Sequence, residues 1–264
     1  MSQSRFLMAR NLFHYRHYIL HNSWLDFRQQ YAGSVLGIFW TLLLPLIEVL
    51  IYTVVFSKVL GRFSNNPDYI LYLCAGLFPW LVFAKSLSSG CNIFRAKSAY
   101  LTKLAIPEEV FVAQSALDGV FNFIIYFCLL LVFGLFFEHP FNWIIGLIPL
   151  VIILFQTLAF GLTLILASLQ VFFKDITEFV RVIINLIRWT LPIMYVEEIL
   201  PLTIQAILVW HPFYFYIIAF RDLFLDHTFP AITTWGAMII WTTLAVFMGN
   251  WVLQMLKPEL RDVL

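Results

Sequence analysis

Charge is scarce in this sequence. Only 12% of its 264 residues are Asp, Glu, Lys or Arg, against about 25% in a soluble domain. With 62% hydrophobic residues and a mean hydropathy of +0.88, a soluble fold would lack the polar groups to cover its surface. Cysteine is nearly absent. Cys74, Cys91 and Cys128 stand apart in apolar runs with no CxxC pair or metal spacing, and they read as small buried residues. No GxxxxGK[ST] occurs, so no loop of that kind cradles ATP phosphates. HExxH and GxSxG are missing, and no acidic pair recurs across the apolar runs, which argues against an enzyme. The first 34 residues hold no uninterrupted apolar core of signal-peptide length, so no cleavable signal is expected. A net charge of +1 points to no partner, and no nucleic acid is expected.

Long apolar runs are abundant. Several exceed the ~20 residues a helix needs to cross a bilayer. They are continuous rather than alternating, which excludes a transmembrane barrel. The fold class is an all-α membrane protein with six transmembrane helices, at 35–56, 69–94, 113–137, 143–173, 178–196 and 231–256. In the second, "SLSSG" (86–90) offers small residues for close helix approach. Residues 1–34 form a separate N-terminal unit before the six-span domain of 35–264. There Arg5, Arg10, Arg16 and Arg28 interleave with Phe6, Leu12, Phe13, Tyr18 and Trp24, the pattern of a helix lying in the membrane interface. His14, His17 and His21 share one face of it, as a polar stripe rather than a metal site.

The segment 202–220, "LTIQAILVWHPFYFYIIAF", is long enough to be a seventh span. His211 and Pro212 break it in the middle, however, and Pro201 bounds it. Two short re-entrant helices explain it better, because broken backbone at membrane depth is tolerated where it packs on protein. The cations agree. With six spans and both termini cytoplasmic, Arg5, Arg10, Arg16, Arg28, Arg95, Lys97, Lys103, Lys174, Arg181, Lys257 and Arg261 lie inside. Lys58, Arg62 and Arg221 lie outside. Eleven against three fits the positive-inside rule.

Three places hold candidate functional residues. Glu48 lies within the first span, where a charge must face protein or water. Glu48, Tyr52 and Phe56 fall within about 80° of helical arc. They read either as the lining of a path or, for Glu48, as half of an ion pair with Arg188 or Lys85. Arg188 and its neighbour Trp189 carry the same two readings. The second place is the amphipathic stretch "RAKSAYLTKLAIPEEVF" (95–111), cytoplasmic by the charge pattern. Tyr100–Ala105 suits a short surface helix. Pro107 then turns the chain, and Glu108 and Glu109 suit the first turn of the next helix. Tyr100, Leu101, Leu104 and Ile106 would form an apolar knob rimmed by Lys97 and Lys103. The third place is the broken segment itself. Among the 28 Phe, 11 Tyr and 9 Trp, most read as core or interfacial belts, and some would stack on sugar faces.

"RQQYAGSVLGIFWTLLLPL" (28–46), "LCAGLFPWLVFAKSLSSG" (73–90), "LTKLAIPEEVFVAQSALD" (101–118), "LASLQVFFKDITEFV" (166–180), "HPFYFYIIAFRDLF" (211–224) and the terminal "ELRDVL" occur in that order. Together they resemble the membrane subunits of type-2 ABC exporters for lipid-linked polysaccharides. The likeness is greatest to the Wzm-like O-antigen permeases; capsule and teichoic-acid permeases are relatives. The resemblance implies a homodimer in the bacterial inner membrane, docked to two copies of a separate ATPase that binds ATP and Mg. This chain would hold no cofactor. The substrate would be a polysaccharide on undecaprenyl diphosphate. Tyr100, Leu101, Lys103, Leu104, Ile106 and Glu108 would form the coupling helix seated in the ATPase. The broken segment would gate the exit, with Trp210 and Tyr214 at its mouth and Arg221 at the outer headgroups. An exporter of capsule, teichoic acid, another lipid or a drug is the alternative. A membrane-embedded transferase is a third reading. It would need clustered ionisable residues or a long soluble loop, and the sequence offers neither.

Overall fold

A computed structural model describes residues 2–59 and 68–263, and they are helical with no strand among them. The N-terminal unit is two helices, α1 (Ser2–His14) and α2 (Arg16–Gln29), broken at Tyr15. Ile19, Ser23 and Phe27, four residues apart, are the buried face of α2. Then come α3 (Phe39–Thr53), which runs on into a π-helical turn (Val54–Val59), and α4 (Asp68–Cys91). Two short helices follow, α5 (Ile93–Ala96) and α6 (Ser98–Lys103). The long α7 (Glu108–Phe136) and α8 (Ile148–Phe172) are joined through a 3-10 turn (Trp143–Leu147). The rest is α9 (Ile176–Thr190), α10 (Leu202–Leu208), α11 (Tyr214–Phe224) and α12 (Ile232–Val263).

Five stretches are long and apolar enough to cross a membrane: Phe39–Phe56, Tyr69–Cys91, Glu108–Phe136, Trp143–Phe172 and Ile232–Arg261. They match five of the six expected spans. The remaining one, 178–196, is instead the 15-residue α9 followed by non-helical chain at 191–196. Pro192 removes a backbone donor just past the helix end, which stops it there. The expected break in 202–220 is present between α10 and α11. The last helix runs on past the expected span end at 256, as far as Val263.

The central helix is α4, with Trp80, Phe78 and Phe83 fully buried. Phe83 stacks on Phe155 of α8 at 4.4 Å, and Phe155 stacks on Tyr216 of α11 at 4.6 Å. These aromatics are bundle core, where such stacks add to the packing. The most intimate pairing is α8 with α12. A Cβ at Gly161 would lie 2.5 Å from backbone atoms of Ala245 and Val246. Only glycine lets the two backbones meet there, as small residues do between helices in lipid.

Candidate functional site

The amphipathic segment is built around α5 and α6. Its helix is Ser98–Lys103, two residues earlier than expected, and Pro107 stands before α7 in extended conformation as its N-cap. The expected knob is divided. Leu101 and Ile106 are buried and join a core with Phe94, Val110, Phe111 and Leu260. Tyr100 and Leu104 are 51% and 43% exposed, and Lys103 is exposed beside them. A six-residue helix has two sides, and its inner side anchors it to the bundle.

The anchoring is ionic as well as apolar. Glu108 stands in the first turn of α7 as expected; it is fully buried and pairs with two cations of α12. Lys257 Nζ lies at 2.6 Å and Arg261 Nε at 2.7 Å. Arg261 also donates to Ile106 O at 3.2 Å. Asn11 Nδ2 of α1 donates to Glu109 Oε1 at 2.8 Å. Lys97, expected to rim the knob, instead pairs with Asp26 of α2 at 2.8 Å. Burial of Tyr18 in α2 raises its phenol pKa, and nearby Lys97 opposes that shift. One short segment is thus fastened to both ends of the chain. His14, His17 and His21 are all exposed. Among the described residues no group of three or more His, Cys, Asp or Glu is placed to hold a metal ion.

In the bundle, Arg188 Nη1 of α9 meets Glu48 Oε2 of α3 at 3.3 Å, both partly buried. The ion-pair reading of Glu48 therefore holds with Arg188. Lys85 is engaged elsewhere, donating to Asn122 Oδ1 at 2.8 Å and Gln30 Oε1 at 3.2 Å. Tyr52 and Phe56 are half-buried, while Trp189 is 54% exposed. A wider feature went unnoticed in the sequence. Glu178, Arg181, Asn185 and Arg188 lie within about 80° of arc on α9. The first three are exposed. The signal was their i, i+3, i+7, i+10 spacing. Val180 and Ile184 on another face are buried.

The broken segment requires one correction. Arg221, expected at the outer headgroups, is 3% exposed within the bundle. Its guanidinium lies 3.6 Å from the centre of the Tyr72 ring. Nη1 donates to Pro192 O at 2.7 Å and Tyr72 Oη at 2.9 Å. Nη2 donates to Ile193 O at 3.1 Å and Tyr72 O at 3.4 Å. The physical reason lies in the chain after α9, whose carbonyls have no helical partners. Tyr69 Oη serves Met194 O at 2.8 Å, and Tyr72 Oη serves Tyr195 O at 3.2 Å. The carbonyls from Pro192 to Tyr195 thus each accept a side-chain hydrogen bond. Gly76 makes room for the guanidinium, since a Cβ there would lie 2.6 Å from Nη2. Trp210 is 78% exposed, and Tyr214 donates to Glu197 Oε2 at 2.6 Å.

These features define a multi-pass helical membrane protein with a broken segment packed against its bundle and charged residues between its helices. Comparison with known proteins identifies the kind. The chain is 30% identical over 207 residues to the O-antigen export system permease protein RfbA of Klebsiella pneumoniae, covering 77% of this chain and 78% of that one. It is 26% identical over 253 residues to the protein of the same name from Myxococcus xanthus, covering 91% and 95%. No family model matches the chain. The chain belongs to the family of O-antigen export permeases, the Wzm-like membrane subunits of ABC exporters.

Proposed function

We propose that this chain exports a polysaccharide on undecaprenyl diphosphate across the bacterial inner membrane, as one of two copies driven by a separate pair of ATPase subunits. The names of its relatives support O-antigen as the polysaccharide. ATP and Mg would be bound by the ATPase and not by this chain. The observation that carries the reading is the amphipathic segment. It presents Tyr100, Lys103 and Leu104 outward while Leu101, Ile106 and Glu108 lock its other side to the bundle. A lever needs both a contact face and a rigid root, and this element has both. The polar stripe of α9 supports a path beside it. A row of charged and amide groups that runs from the cytoplasmic rim at Glu178 toward Arg188 must face water or protein rather than lipid where it enters the membrane. Arg188 ends that row, Glu48 and Trp189 border it, and Tyr52 and Phe56 continue it along α3. The gate is assigned to α10 and α11, with Trp210 and Tyr214 at its mouth and Arg221 as the interior fastening of α11.

The two sides of the segment give the test. Lys103→Glu and Leu104→Asp change exposed groups. Both variants are expected to insert and melt like wild type yet fail to copurify with the ATPase and fail to export. Leu101→Asp places a charge at a fully buried position and is expected to lower stability instead. Normal ATPase binding and normal export by both outer variants would remove the segment from the coupling role.

A further inference from the structure

A cavity of about 410 Å³ opens where four elements meet at the cytoplasmic end: α5, α6, the end of α8 and the end of α12. Arg95, Ser98, Val171, Phe172, Lys174 and Val263 line it. Two of these six are cations, one is a hydroxyl, and none is acidic. Arg95 is held in place by its own hydrogen bond, Nη2 to Val171 O at 2.9 Å. Its Nε is buried without a protein partner. Lys174 is exposed at the other rim. The cavity serves neither the outward face of the coupling segment nor the polar stripe of α9.

Its depth identifies the occupant. The candidate spans of α4, α8 and α12 end at Cys91, Phe172 and Arg261, and the cavity lies at those ends, from Val171 and Phe172 to Lys174 and Val263. That is the level of lipid headgroups. Phe173, next to Lys174, is 62% exposed, as suits an aromatic in the acyl boundary beside a headgroup. We infer that Arg95, Ser98 and Lys174 bind the phosphate of an anionic membrane phospholipid, of the phosphatidylglycerol or cardiolipin kind. Basic pockets between helices at this level suit such headgroups. A guanidinium fixed by one hydrogen bond suits a phosphate oxygen, and an ammonium adds charge without demanding one geometry. The bound lipid would bridge the root of the coupling segment and the end of α8. The site does not depend on the ATPase assignment.

Native mass spectrometry of the purified full chain, titrated with phosphatidylglycerol or phosphatidylethanolamine, tests this. Wild type is expected to retain phosphatidylglycerol preferentially. Lys174→Gln alters an exposed side chain and is expected to weaken that binding roughly fivefold, and the double variant with Arg95→Gln roughly thirtyfold. If the double variant does not fold, Lys174→Gln and Lys174→Glu carry the comparison, with the acidic variant weaker. Equal retention of phosphatidylglycerol by wild type and the Lys174 variants overturns the site. So does displacement of the lipid by millimolar inorganic phosphate, which would make the ligand a free anion. Loss of ATPase copurification by Lys174→Gln with lipid binding intact overturns it too, because the pocket would then be a protein contact.

Discussion

Arg221 does between Pro192 and Tyr72 what regular helix cannot do there. Chain that leaves a helix inside a bilayer exposes carbonyls that lipid cannot satisfy. This guanidinium reaches three carbonyls and one phenol from the far side of α4. Its removal orphans the Pro192 and Ile193 oxygens and opens a cavity. Arg221→Ala is therefore expected to cost about 3–5 kcal/mol of stability, read as a lowered melting temperature or faster proteolysis in detergent. Arg221→Lys keeps the charge but not the fork, and should fall between. Gly76→Ala drives a methyl into the same guanidinium and should destabilise by the same route. The two changes share one interaction, so the Gly76→Ala, Arg221→Ala pair is expected to be less damaging than the sum of its parts. Strict additivity would mean that Gly76 serves something other than Arg221.

At the scale of elements, the root of the amphipathic segment 95–111 is a knot between chain ends. Glu108 starts α7, yet its partners Lys257 and Arg261 lie about 150 residues on, in α12. Glu108→Gln keeps the shape and removes the charge that holds both. Breaking hydrogen bonds to a buried charged group costs about 1.5–3 kcal/mol each, and the loss falls on the last turns of α12. Hydrogen exchange is expected to speed up at 255–263 while the amides of α4 and α8 keep their protection. Unchanged exchange there would show that apolar packing of Leu260 alone holds the helix end. This knot also shows which features were legible in the sequence. The helix at 98–103 and the turn at Pro107 follow from local chemistry and were foreseen within two residues. The break at His211 and Pro212 likewise announces itself. The inward side of a six-residue helix does not, because Leu101 and Leu104 are equally apolar and only the distant Leu260 and Val110 choose between them. Arg221 was misplaced for the same reason. Its acceptors are the carbonyls of Pro192 and Ile193, almost thirty residues upstream, and the distant Tyr72, and a carbonyl without a partner leaves no mark in a sequence.

For the whole molecule, the open matter is the number of crossings, which the route from α8 to α12 decides. Arg95 and Val263 line one cavity with the end of α8, so the ends of α8 and α12 lie at one face. Trp143, before α8, touches Phe229, before α12, at 5.7 Å, so the beginnings of both lie at the other. On this arrangement we expect the chain from 173 to 229 to cross once. Helix α9 alone measures about 22 Å, short of the ~30 Å hydrocarbon core. The non-helical chain at 191–196 adds up to ~20 Å, and its carbonyls are the ones that Arg221, Tyr69 and Tyr72 satisfy. A short helix and a fastened extended stretch can together do the work of the missing sixth span. The α10–α11 segment packs on the bundle at both ends. Phe213 reaches the core at Phe83, 4.8 Å away, while His139, just past the end of α7, donates from Nε2 to Phe224 O, 2.9 Å away. Accessibility tags at Asp175, Asp226 and the C-terminus discriminate the two topologies. Six crossings with a cytoplasmic N-terminus give inside, outside, inside. Five give inside, inside, outside, and would carry Lys257 and Arg261 to the outer face against the charge bias. We expect the first pattern. Tags at Asp175 and Asp226 that report the same side would end the six-crossing account and leave α9 lying on the surface.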